Sequence, residues 1–235
     1  MKNKWKDSIT CIKLMKYGMS AKQSFGTMIF FVVIGIAFEM VTMLGVGGYP
    51  FGWLDFGALF LYSAAMYPAQ VLMTLDISGM VQTSPYKKQI QTGAMSFASL
   101  CGNLAALVIL LLVRGLGACI APERAHLIWG TFPLIGIMGL GLSIMGALMY
   151  KFYILSIIVL AMIFGTAGGL GGFQGGIEME NNAGLLNSMS PAMAVVFCVI
   201  MILLGNAIQY LVVRALYKRP FSKGAFGNAV GKKFV

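Results

Sequence analysis

GAMSFASLCGNLAALVILLLVRGLGAC, residues 93–119, carries one charge, Arg114, and its apolar side chains run on without alternating. About 20 mainly apolar residues cover a hydrocarbon core about 30 Å thick, and this run is longer than that. Backbone groups in lipid must be satisfied within the segment, which leaves helices or closed barrels; a continuous apolar run favours the helix. Stretches 27–47, 55–77, 127–149, 152–171 and 192–217 read the same way. The whole chain agrees, with 59% hydrophobic and 10% charged residues, against roughly 25% charged in soluble domains. The expected fold is all-α: a polytopic membrane protein with six transmembrane helices over 25–217, an interfacial segment at 1–24 and a basic tail at 218–235.

The net charge of +10 is a matter of placement. Fifteen of the seventeen Lys and Arg lie in the N-terminal segment, the 80–92 loop, the turn at Lys151, or the end of span six with its tail. Six alternating spans put all of these on one side. The other side holds Arg114 and Arg124 with Asp55, Glu123, Glu178 and Glu180. By the positive-inside rule both termini are expected in the cytoplasm, the chain lying in a cell membrane, and the basic balance reports topology and anionic lipid rather than nucleic acid.

In MKNKWKDSITCIKLMKYGMSAK, residues 1–22, Trp5, Ile9, Ile12, Met15 and Met19 fall on one helical face flanked by lysines. An amphipathic helix on the membrane surface is expected. No small-residue cleavage site follows, so this segment is expected to stay in the mature chain. GVGGYPFGW (45–53) and GACIAPERAHLIWG (117–130) read as short external loops. Spans four and five are joined so closely, Met149 to Phe152, that they should form a hairpin. The glycine-dense stretch 164–191 is poor helix material and reads either as segments dipping back into the membrane or as a flexible loop.

Chemistry is sparse. The tail GAFGNAVGKK fails as a phosphate loop, because Phe226 stands where a glycine is needed and Lys233 where a hydroxyl is. His126 is the single histidine, with no metalloprotease spacing, and Cys11, Cys101, Cys119 and Cys198 show no ligand spacing, so no metal is expected. Glu39 lies about 18 to 20 Å along span one, at 1.5 Å per residue. An acid at that depth faces protein or a wet cavity; it either lines a path or bonds to Asn103. Gln70, Asn103, Asn206 and Gln209 are further polar insertions, candidates for a translocation path or for interhelical hydrogen bonds. Gly139, Ser143 and Ala147 form a small-residue stripe for a neighbouring helix, and the eighteen methionines suit either packing or an adaptable apolar path.

The polar exception between spans two and three is MVQTSPYKKQIQTG, residues 80–93. Thr83 or Ser84 can cap a helix with Pro85 in its first position, predicting about two turns over 84–92 that run into span three.

This layout resembles the permease subunits of ABC-2 type transporters. The likeness rests on the basic amphipathic segment before span one, the Ser-Pro-aromatic-basic segment between spans two and three, and the glycine-rich stretch closing in NSMSP before span six. It implies a compact bacterial exporter subunit, similar to peptide or phenol-soluble-modulin exporters. Residues 1–24 become an elbow helix, and Ser84, Pro85, Tyr86, Lys87, Lys88 and Gln89 become a coupling helix docked on a separate ATP-binding-cassette subunit. The resemblance further implies a second permease subunit, identical or not, short re-entrant helices before span six, and ATP with Mg on the partner, none on this chain. The chain is then no enzyme by itself. A secondary transporter using Glu39 and a non-transporting assembly or immunity protein are the alternatives.

Overall fold

The computed structural model describes residues 4–13, 21–44, 55–77, 83–149, 151–152, 154–163, 165 and 189–220. The elements among them are helices: α1 (Lys4–Lys13), α2 (Ala21–Leu44), α3 (Phe56–Ile77), α4 (Lys87–Ile120), α5 (Ala125–Gly130), α6 (Phe132–Leu148), α7 (Ile154–Ile163) and α8 (Pro191–Leu216). Four stretches are long and apolar enough to cross a membrane: Ser24–Met43 of α2, the whole of α4, Ile128–Leu148 across α5 and α6, and α8. Phe56–Leu72 of α3 and α7 are shorter apolar helices. Expected span five is described only as α7, and the 45–53 loop, most of 164–191 and the tail from 221 lie outside the described residues.

Exposure is inverted relative to a soluble protein. Phe30 and Val33 of α2, Leu112 and Leu116 of α4, Ile154 of α7 and Val196 and Leu211 of α8 all face outward, whereas Glu39, Asn103, Arg114, Ser143, Asn206 and Gln209 are buried. An apolar exterior with the polar side chains of the helices kept inside is the arrangement expected of a chain surrounded by lipid.

The helices meet through missing side chains. A Cβ on Gly102 of α4 would lie 2.5 Å from the Ala65 carbonyl oxygen of α3. One on Gly136 of α6 would lie 2.8 Å from Cys198 Cα, and one on Gly205 of α8 would lie 2.7 Å from Leu140 Cα. With no solvophobic drive between helices in lipid, such backbone contact is how they gain packing energy. The Gly139, Ser143, Ala147 stripe is buried, Gly139 lying under the Tyr62 ring of α3. α3 and α4 pack together, α2 lies against both, and α6 pairs most closely with α8. Between them Tyr62, Leu61, Leu110, Phe132, Ile135, Met138 and Ile202 form the main apolar core.

α1 lies against the start of α4. Among its described side chains Cys11 is buried, packed with Val71, Leu72, Ile90, Ala94 and Ala98, with Ile12 half-buried beside them. Ile9 is exposed. At 100° per residue Ile9 and Cys11 stand on nearly opposite sides, so Ile9 of the expected apolar face turns outward while Ile12 of that face stays beside Cys11. The side chains of Trp5, Met15 and Met19 lie outside the described residues.

Candidate functional site

Polar residues collect at the two ends of the helix assembly. At the end away from α1, Arg114 of α4 is buried. Its Nε donates to Glu39 Oε2 at 3.0 Å and its Nη2 to Glu39 Oε1 at 3.2 Å, a two-pronged ion pair with α2. Nη2 also donates to Asp55 Oδ2, and Nη1 donates to the Ile128 carbonyl at 3.2 Å and to Thr131 Oγ1. All five N–H groups of the guanidinium thus have acceptors, drawn from α2, the start of α3, α5 and the α5–α6 junction. The Phe132 ring lies 5.3 Å from Arg114 Cζ.

Local sequence explains each partner. Asp55 precedes α3 and accepts from Ala58 N at 2.9 Å through Oδ1, an N-cap that leaves Oδ2 for Arg114. Pro133 lacks the N–H that would bond four residues back, so the helix breaks at Thr131 and expected span four becomes α5 and α6. The break frees the Ile128 carbonyl for Arg114 and for Thr131 Oγ1, 3.0 Å away. Gly57 lets Glu39 approach: a Cβ there would lie 2.6 Å from Glu39 Cγ.

Glu39 therefore does not bond to Asn103. α2 begins at Ala21, six residues before the expected start of span one, which carries Glu39 to within five residues of its far end at Leu44. Asn103 instead donates from Nδ2 to Ser143 Oγ of α6 at 3.0 Å, and Ser143 donates to the Gly139 carbonyl at 2.9 Å. Arg114, expected to mark the external side, is the hub of the buried cluster. A lone arginine in an apolar run requires a buried acid nearby, and that signal paired with Glu39 was available in the sequence.

At the α1 end lies the described part of the segment after α3. Thr83, Pro85, Tyr86 and Lys88 are exposed, Tyr86 by 55%, while Ser84, Lys87 and Gln89 are half-buried. The helix expected from Pro85 begins at Lys87, because the Ser84 hydroxyl accepts from Tyr86 N at 3.2 Å and Ser84 O from Lys87 N at 3.1 Å, which holds 84–86 as a turn. One helical turn, Lys87–Gln89, leads into a π-helical turn, Ile90–Ala94, and then the long α-helix Met95–Ile120. The wide turn is buried and touches α1, α3 and α8. Thr92 Oγ1 donates to the Lys88 carbonyl at 2.7 Å, and the Lys88 ammonium lies 5.3 Å from the Tyr217 ring centre just beyond α8.

The five candidate path residues do not converge. Glu39 belongs to the arginine cluster and Asn103 to Ser143. Asn206 bonds from Nδ2 to its own helix at the Ile202 carbonyl, 2.9 Å away. Gln70 and Gln209 alone share a cavity, with Met66, Ala69, Met95, Ser99, Gly146 and Met149, near the α1 end. The chain matches no protein-family model, no curated protein and no solved structure.

Proposed function

We propose that the chain is the membrane subunit of an ABC-2 type exporter, moving a hydrophobic or amphipathic substrate, a peptide by preference, with ATP hydrolysed on a separate subunit. One observation carries this reading: the 83–89 tip is polar and basic with Thr83, Pro85, Tyr86 and Lys88 exposed, yet it touches α1 and leads directly into the buried π-helical turn of α4, which rests on α1, α3 and α8. A soluble partner pressing on Tyr86, Lys87 and Lys88 would push a long membrane helix directly, which is what coupling requires. A nucleotide shifts such an equilibrium only through contacts that differ between states.

The reading includes six passes, cytoplasmic termini in a bacterial cell membrane, α1 as elbow helix, a re-entrant segment before α8, and a second permease subunit. Both carboxylate oxygens of Glu39 accept from Arg114, which favours a structural role for it over that of an ion carrier in the secondary-transport alternative.

The test is the Lys87→Glu, Lys88→Glu double variant, co-expressed with candidate ATPase subunits and reconstituted. It is expected to insert and fold as the parent does but to lose co-purification with the ATPase and substrate-stimulated hydrolysis. Parent-like values in both assays overturn the proposal. ATPase binding without substrate-dependent turnover in the parent would point to a non-transporting assembly.

A further inference from the structure

The cavity shared by Gln70 and Gln209 is small, with about 10 Å³ open to the centre of a water-sized sphere. That is about the room one water molecule needs. Its wall comes from four helices: Met66, Ala69 and Gln70 of α3, Met95 and Ser99 of α4, Gly146 of α6, and Gln209 of α8, with Met149 following α6. Gln209 is 1% exposed, and its Oε1 has no hydrogen-bond partner among the described residues. A bare carbonyl oxygen there carries the desolvation penalty of an unmade bond. A second buried oxygen without a partner among the described residues, Ser96 Oγ, lies on the same stretch of α4. A cavity lined by apolar groups alone stays dry, but one offering two carboxamides and a hydroxyl meets the requirement of two to four polar partners.

We propose that this cavity is a built water site, in which a bound water donates to Gln209 Oε1 and takes its remaining hydrogen bonds from the Ser99 hydroxyl and the Gln70 carboxamide. Gly146 keeps it open. A Cβ at that position would lie 2.8 Å from Met66 Cε and would drive the thioether into the space. The site begins at Met95, where the π-helical turn ends, so it hydrates the joint between the exposed tip and the bundle. Its role in moving that tip rests on the exporter reading; its existence does not.

The methionines supply the assay. Pulsed X-ray radiolysis turns a bound water into a hydroxyl radical that oxidises the nearest thioether, read out by mass spectrometry on the full chain in lipid nanodiscs. Met138 is the internal control: it is 4% exposed, against 1% for Met95 and 6% for Met66, but unlike them it does not line the cavity. Burial alone therefore ranks Met95 no faster than Met138, whereas a bound water makes Met95 several-fold faster. Gln209→Leu, which removes the acceptor, and Gly146→Ala, which fills the space, should each bring Met95 down to the Met138 rate. Met95 oxidising no faster than Met138 in the parent overturns the proposal, and so does fast Met95 oxidation that persists in folded Gln209→Leu. No transport is measured, so failure here is separable from failure of the exporter reading.

Discussion

The two polar ends of the helix assembly solve the same problem in opposite ways. At the Arg114 end, five donors meet five acceptors from neighbouring elements and nothing is left over. At the α1 end, Gln209 and Ser96 have buried oxygens without partners among the described residues, a π-helical turn replaces the regular ladder, and soft thioethers line a cavity. A fully satisfied charged network has one arrangement, because any shift strands a charge. A loosely satisfied seam has several of nearly equal energy. π-helical turns occur often at functional positions, where a helix has to adjust. The chain is thus pinned at one end and adaptable at the other, and the adaptable end carries the exposed tip.

The largest effect expected from this contrast comes from Arg114→Met. It strands Glu39, buried to 1% exposure, and removes four interhelical ties at once. Breaking a buried pair from one side costs about 3–5 kcal/mol. Adding Glu39→Leu should recover most of that loss, because Asp55, whose side chain is 20% exposed, can turn to solvent while Glu39 cannot. Steric-trapping measurements of unfolding free energy in lipid would check both values. A double variant no better than Arg114→Met would mean that the cluster matters for the other three contacts more than for the ion pair.

An intermediate effect comes from placing the same methyl group at each end. At Gly57 the new Cβ meets Glu39, which cannot retreat without losing Arg114. Overpacking of this kind costs about 1–3 kcal/mol. At Gly146 the new Cβ is tight only against the far end of Met66, which borders the cavity, and meets Gln209 Nε2 at an ordinary 3.7 Å. There the loss should be offset by the helix propensity gained over glycine, about 1 kcal/mol. Gly57→Ala should therefore unfold more easily than Gly146→Ala in the same assay. Equal losses would erase the distinction between a pinned and an adaptable end.

The sequence makes the apolar helices legible because lipid imposes a length and a composition that no soluble core demands, and spans three and six appear within a few residues of where hydropathy puts them. Partners are harder to read. Depth estimates inherit every error in a helix start, and six residues at the start of α2 moved Glu39 from Asn103 to Arg114. Helix rotation is harder still, since hydropathy of an all-apolar helix has almost no preferred face. That is why the Gly139, Ser143, Ala147 stripe was legible as a contact but its neighbours were not. In α1 the conspicuous Ile9 is exposed, and the contact with Ile90 and Ala94 is made by Cys11, which apolar periodicity did not single out. Two signals were present and unread: Asp55 three residues before Ala58 is an N-cap pattern, and Pro133 inside expected span four marks the break that Arg114 fills.

The smallest expected effect concerns how the tip is held. Lys88 lies over the Tyr217 ring, a contact between the start of α4 and the residue just beyond α8. At an exposed position such a contact is worth about 0.5–1 kcal/mol, too little to fix the tip but enough to bias it. A double-mutant cycle over Lys88→Ala and Tyr217→Leu should give a coupling free energy of that size, unchanged when Arg114 is replaced, because the two ends share no partner and distant sites add. Coupling that vanishes in the Arg114→Met background would show the ends to be mechanically linked through α4. The pinned end would then set the position of the tip, and the adaptability of the α1 end would be borrowed from the rigidity of the other.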